Sequence, residues 1–224
     1  ILGERSFGGL SGLMMHEASH SWYQAILASN EALYPWQDEG FADFSSQESM
    51  AFIFGTPMAD AHADSYGGYF NLIKRGLQEP IGQHGDHYST NTAYNTAAYS
   101  MGTIFLHQLK YIIGQDVFYK GMRQYYDAWK FRHPEPNDFI RVMEKTSGLE
   151  LKWYLNYWVY TTKTIDYGIR NVITKDGATF ITLERIGEFP MPVDLVISYA
   201  DGTKELLYIP TNETLGNKQP ENKS

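Results

Sequence analysis

The chain of 224 residues contains no cysteine. Disulfides and thiolate metal sites are therefore excluded, and the redox compartment stays open. No stretch of about 18 consecutive apolar residues occurs, so the sequence predicts no membrane-spanning helix. Positive charge is scarce. Eighteen lysines and arginines face 26 aspartates and glutamates, for a net charge of −8. That balance argues against nucleic acid as a partner, because phosphate backbones are bound by basic side chains. It suits substrates bearing a positive amine, although solubility explains it equally well. Internal repeats, low-complexity segments and a signal-peptide pattern are also missing. Ile1 is not a natural start, so the expectation is a fragment or a processed piece. The rest of the composition, 43% hydrophobic and 20% charged, is that of a globular chain large enough for one large domain or two smaller ones.

One short stretch organises the reading: His16-Glu17-Ala18-Ser19-His20. Glu17 is the only charged residue between Arg5 and Glu31, and its surroundings (Leu10, Leu13, Met14, Met15, Trp22, Ile26) are apolar. Such a helix is expected to be buried, and an unpaired carboxylate there is costly. A metal ion resolves the conflict. Residues four apart share a helix face, so His16 and His20 can present two imidazoles to one ion, with Glu17 on the flank beside a water. This is the H-E-x-x-H arrangement of two Zn²⁺ ligands and a general base, expected by chance roughly 0.01–0.02 times in a chain of this composition. Catalytic zinc usually takes three protein ligands and leaves the fourth position open. Glu39 follows His20 after 18 intervening residues, in the first turn of a helix opened by Pro35. Its spacing and chemistry make it the third ligand of a His₂Glu site.

The pattern predicts helices over about 9–27, 35–51, 58–76, 94–113, 115–129, 136–147 and 149–161, punctuated by glycine and proline. Residues 79–92 read as a loop. His84 and His87 flank Asp86 there; with no further ligands nearby they are read as loop-packing rather than as a second metal site. The aromatic stripes Tyr125, Tyr126, Trp129 and Trp153, Tyr154, Tyr157, Trp158 are read as core. From about residue 166 the period becomes two. Asp176-Gly177 and Asp201-Gly202 each separate two short apolar runs, which predicts four antiparallel strands, part of a β-sandwich. Residues 212–224 read as a polar tail; two glycosylation sequons in it carry no weight.

These residues resemble a known family. His16-Glu17-x-x-His20, 18 residues, then Glu39 inside Asp38-Glu39-Gly40-Phe41-Ala42 is similar to the zinc signature of the M1 aminopeptidases, members of the gluzincin clan. Trp22 and Trp36 fit the family pattern, and Asp38 stands where asparagine is usual. Tyr99-Ser100-Met101-Gly102 is similar to the family's Y-x-K-G, with Met101 in place of lysine. The resemblance implies that Tyr99 hydrogen-bonds the tetrahedral intermediate. Ser46 occupies a position where the family often has glutamate. Asp43, one turn after Glu39, either supports a histidine ligand or is a solvated helix-face aspartate.

The fold implied is a mainly α-helical subdomain of a thermolysin-like zinc peptidase over residues 1–165, followed by a small antiparallel β-sandwich-like (Ig-like) segment over 166–211. The function implied is removal of N-terminal residues from peptides with one Zn²⁺ per chain, held by His16, His20 and Glu39, and with Glu17 and Tyr99 catalytic. The family's G-x-M-E-N motif, which holds the substrate amine, is absent from residues 1–15. The expected partners are therefore a peptide and an N-terminal part of the same protein, without which the fragment is expected to be weak or inactive. Two other readings share parts of this pattern: a thermolysin-type endopeptidase, and a non-catalytic scaffold of the same fold.

Overall fold

A computed structural model describes residues 6–55, 57 and 61–211. The readings made for residues 1–5, for 58–60 and for the polar tail at 212–224 lie outside the described residues. The chain divides into two compact units between Thr162 and Lys163, against the boundary expected at 165/166.

The first unit is helical. Helix α1 spans Phe7–Ser19 and opens with Ser6, whose side chain accepts a hydrogen bond from Gly9 N at 3.0 Å. The expected helix over 9–27 is not continuous. Regular structure stops at His20, and wide i→i+5 bonds follow, from Ala25 N to His20 O and from Leu27 N to Trp22 O. The path breaks at Tyr23 and Gln24, the latter with φ of 79°. No glycine or proline marks this break, so the sequence pattern runs through it. Helix α2 (Pro35–Phe54) has proline in its first turn and ends on Gly55 in the left-handed conformation, the usual stop for a helix.

Helix α3 spans Ala63–Lys74. The helix expected over 94–113 begins earlier, as α4 (Asn91–Asn95) capped by Thr90. It runs through a π turn over Thr96–Met101 into α5 (Gly102–Ile113). Helices α6 (Gln115–Trp129), α7 (Pro136–Ser147) and α8 (Lys152–Tyr160) complete the unit.

An aromatic core holds α2 against its neighbours. Trp36 and Phe41 meet Phe105 of α5 and Phe139 of α7 at ring distances of 4.8 and 5.0 Å, and Tyr125 of α6 closes on Phe139 at 5.0 Å. Tyr154 of α8 is fully buried and donates to Phe105 O at 2.6 Å. Tyr125, Tyr154 and Trp158 are thus core, while Tyr126, Trp129, Trp153 and Tyr157 are half-buried. Further along α2, Glu48 accepts from Lys110 of α5 and from Tyr119 of α6.

One crossing matters most for the site. A Cβ on Gly40 would lie 2.6 Å from Gly102 Cα, and one on Gly102 would lie 2.8 Å from Gly40 Cα. No real Cβ approaches so closely, so the α2 and α5 backbones touch there because both residues are glycine. The contact fixes the first turn of α2 against the π turn that precedes α5.

The burial expected for α1 is not found. Phe7 is 78% and Met14 64% exposed, Leu10 and Glu17 are exposed as well, and α1 packs chiefly on α2. Apolar residues around a whole helix mark several faces, and among the described residues only one face has a substantial neighbour. Ser46 of α2 anchors it by donating to Gly12 O at 3.1 Å.

The second unit holds two antiparallel hairpins, each a two-stranded sheet. Strands β1 (Tyr167–Lys175) and β2 (Ala178–Arg185) join through Asp176 and Gly177, both at positive φ, as a tight primed turn demands. Strands β3 (Val193–Ser198) and β4 (Lys204–Ile209) pair in register from Val193 with Ile209 to Ser198 with Lys204. The architecture is the expected one, mainly helical with a small antiparallel region. No helix among the described residues is long and apolar enough to cross a membrane.

Candidate metal centre

Three elements converge on one point. The last turn of α1 supplies His16, and His20 caps it. Helix α2 supplies Asp38 from its first turn and Glu39 just after it, and the π turn supplies Tyr99. A π turn inserts a residue into a helix and is frequent at functional sites.

His16 Nε2, His20 Nε2 and Glu39 Oε2 form a triangle. Its edges are 3.1 Å between the two nitrogens, 3.1 Å from His16 to Glu39 and 3.3 Å from His20 to Glu39. Zinc bonds of 2.0–2.1 Å in tetrahedral geometry separate ligand atoms by about 3.3 Å. The triangle therefore has the size of one face of a zinc tetrahedron. Among the described residues this is the one group of three or more histidine or acidic side chains with that proximity. The rings of His84 and His87 lie 5.3 Å apart, tilted by 39°, on a short 3₁₀ turn, and belong to no such group.

The outer nitrogens explain why the inner ones face each other. His16 Nδ1 lies 3.0 Å from Asp43 Oδ1, and His20 Nδ1 lies 2.6 Å from Asp38 Oδ1. A carboxylate at Nδ1 holds a proton on that nitrogen and turns Nε2 inward as the atom that an ion would meet. On ion binding His16 Nε2 would release the proton it shares with Glu39, so that two nitrogen lone pairs and a carboxylate oxygen face one small space. Such a donor set fits a cation at its centre.

The electrostatics follow. Hydrogen bonds to Asp43 and then Glu39 push the His16 pKa up to about 10, against the pull of burial. Burial pushes Asp38 up to about 6, while His20 opposes the rise. Burial also acts to raise Glu39, but hydrogen bonds from His16 and Tyr99 and the charges of both histidines outweigh it and leave Glu39 lowered. Tyr99 is pushed well up, first by burial and then by Glu39; its hydroxyl stays protonated. Its ring stacks on His16 at 5.8 Å and 21°.

The structure thus brings His16, His20, Glu39 and Tyr99 together, with Glu17 exposed beside them on α1. Of the two readings open for Asp43, the histidine contact is the one observed. The role of Asp38 escaped the sequence reading. Its signal was present: an acid, where asparagine is usual, next to a metal-ligand candidate. Only the fold shows that it reaches His20.

A family model described as "Peptidase family M1 domain" matches residues 8–158. Among curated proteins, the chain is 23% identical over 194 residues to Aminopeptidase M1-A of Oryza sativa subsp. japonica, covering 82% of this chain and 22% of that protein. It is 26% identical over 152 residues to Aminopeptidase B of Rattus norvegicus, covering 62% and 22%. The chain therefore spans about a fifth to a quarter of the length of the curated relatives it matches. Among solved structures, an M1 zinc metallopeptidase from Deinococcus radiodurans aligns with a TM-score of 0.55 at 20% identity, covering 67% of this chain and 33% of that one. Legionella pneumophila aminopeptidase A aligns with a TM-score of 0.61 at 14% identity, covering 88% and 23%. At these identities the structural likeness speaks for the fold.

Proposed function

The chain belongs to peptidase family M1, and from that premise we propose that it carries a zinc-dependent, peptide-hydrolysing centre and that the intact protein removes residues from peptide N-termini. The observation that carries the reading is the triangle of His16 Nε2, His20 Nε2 and Glu39 Oε2, with both outer histidine nitrogens set on carboxylates. The relatives named aminopeptidases support the exopeptidase part.

His16, His20 and Glu39 would hold the ion. When bound, zinc supplies Lewis acidity that lowers the pKa of a water toward about 7 and polarises a carbonyl. Asp38 and Asp43 keep the two imidazoles in the tautomer and orientation that ligation needs. Glu17 sits one residue after His16 on an open face, where water and peptide have access. It takes the proton of the attacking water and returns it to the leaving amine. Tyr99 remains a phenol at any working pH and donates its hydroxyl proton in a hydrogen bond to the developing oxyanion.

The test is kinetic, on the intact protein loaded with zinc and given aminoacyl-amide substrates. Glu17→Gln is expected to keep its metal and lose turnover by about 10³ or more, the combined scale of base catalysis and positioning. Undiminished turnover in that variant contradicts the assignment. Tyr99→Phe is expected to keep KM near that of the parent and lose about 10²–10³ in kcat, the cost of one oxyanion donor. An unchanged kcat refutes its role.

A further inference from the structure

A second group of polar side chains lies away from the metal centre, where α2, the start of α3, α5 and α6 meet. His62 caps α3 and is 1% exposed. Its ring stacks on Phe44 of α2 at 4.9 Å and 13°, and His107 of α5 lies against it at 4.7 Å. Its Nδ1 meets Gln47 Oε1 of α2 at 2.8 Å. Its Nε2 stands 3.7 Å from Glu48 Oε1, too far for a hydrogen bond, and has no hydrogen-bond partner among the described residues. We propose that His107, pressed against His62, is an acid-sensitive latch: it holds α3 on α2 and α5, and mild acid loosens α3 by protonating it. The proposal involves neither metal nor peptide and is independent of the function proposed above.

Three observations carry it. The first is the direction of the hydrogen bonds. Tyr66 of α3 accepts from Gln108 Nε2 at 2.5 Å and directs its own hydroxyl proton to His107 Nδ1 at 3.0 Å. A ring nitrogen that accepts carries a lone pair, so His107 is neutral in the closed arrangement. A proton on Nδ1 reverses the bond that ties α5 to α3. The second is charge. Glu48 is the carboxylate that faces the pair, and it already accepts from Lys110 of α5 and from Tyr119 of α6. Asp64, in the first turn of α3, is exposed. A positive charge on His107 is thus added to that of Lys110 against one shared carboxylate, and a buried charge without its own partner is costly. Burial first, then His62 and Lys110, lower the His107 pKa to about 4, and Glu48 offsets only part of the fall. Detached, His107 titrates at the ordinary 6.5. The open state therefore binds more protons between those values. The hold on α3 is complete above about pH 6.5 and is lost as pH falls through 4. The third is reach. Helix α3 packs on the π turn, and a Cβ on its Gly68 would lie 2.9 Å from Ser100 Oγ, next to Tyr99. Loosening α3 removes support behind that turn.

The experiment is hydrogen–deuterium exchange of the intact protein, with and without zinc, at about pH 7 and pH 5, with labelling times scaled for the intrinsic amide rate. Opening of α3 is expected to rise by about 5–20-fold at the lower pH, the upper figure being the full effect of a pKa held at about 4 rather than 6.5. Helix α7, which contributes nothing to the group, is expected to show no such rise. His107→Asn places an amide oxygen where Nδ1 accepts from Tyr66 and does not titrate. Its α3 is expected to open equally at both pH values, whatever its overall stability, while His87→Asn, on an exposed loop histidine, keeps the parental rise. A flat parent, an equal rise in α7, or a parental rise in His107→Asn overturns the proposal. Should His107→Asn fail to fold, imidazole NMR titration of the parent decides. A His107 pKa below about 5.5 supports the latch, and a value at or above it overturns it.

Discussion

Each histidine of the centre is held at both ends. His16 lies between Asp43 and Glu39, and His20 between Asp38 and Glu39. Outer partners of metal ligands typically govern affinity by 10–100-fold. Asp38→Ala and Asp43→Ala are therefore each expected to weaken zinc binding by about tenfold or more, measured by competition with a chromogenic chelator, with the fold retained by circular dichroism. Parental affinity in both variants refutes the supporting role. The same contacts make the zinc-free protein pH-sensitive. The His16 pKa is raised from 6.5 to about 10 on folding, so the folded state binds more protons between those values. Its contribution to stability is complete below about pH 6.5 and is lost as pH rises through 10. Zinc-free protein is expected to melt at a falling temperature across that window, while the zinc-loaded form, whose histidines bind metal instead of a second proton, does not share this loss. A flat profile in the zinc-free protein contradicts the contact set around His16.

The Gly40–Gly102 crossing lets α2 and the π turn meet closely enough for Glu39 to reach both histidines and Tyr99. Gly40→Ala is expected to destabilise by about 1–3 kcal/mol, the usual cost of overpacking, and to weaken zinc binding in parallel. Gly67, inside α3 with nothing within 4 Å of an added Cβ, is the control. Gly67→Ala is expected to stabilise by about 0.5–1 kcal/mol, since alanine is the better helix former. Denaturant unfolding of both variants checks this; a neutral Gly40→Ala would mean the crossing is looser than drawn. Sequence legibility divides along the same line. Helices α6 and α7 and both Asp-Gly turns were readable, because glycine and proline punctuate them. The break at Tyr23 and Gln24 was not, because no residue there is a breaker and tertiary contacts impose the path. The start of α4 at Asn91 was missed too, since a polar run capped by Thr90 has little apolar period.

Across the whole chain, His16, His20 and Glu39 were legible from spacing and chemistry, as i, i+4 periodicity and a carboxylate near a helix start require no knowledge of the rest of the fold, whereas Tyr99 was singled out only by the family resemblance of Tyr99-Ser100-Met101-Gly102. The surface was less so. Apolar α1 is exposed along Phe7, Leu10 and Met14, because periodicity reports which faces are apolar and not which have neighbours within residues 1–224. The reach of Asp38 to His20 depends on how α2 meets the end of α1, a contact that no local pattern encodes. All of this rests on the zinc centre proposed for His16, His20 and Glu39. The most direct measurement is metal content by mass spectrometry of purified protein after zinc loading and dialysis, parent against Glu39→Ala. The account predicts about one zinc per parent chain and a loss of most of it in the variant. A folded parent that retains no zinc, or a variant that retains as much as the parent, would contradict it.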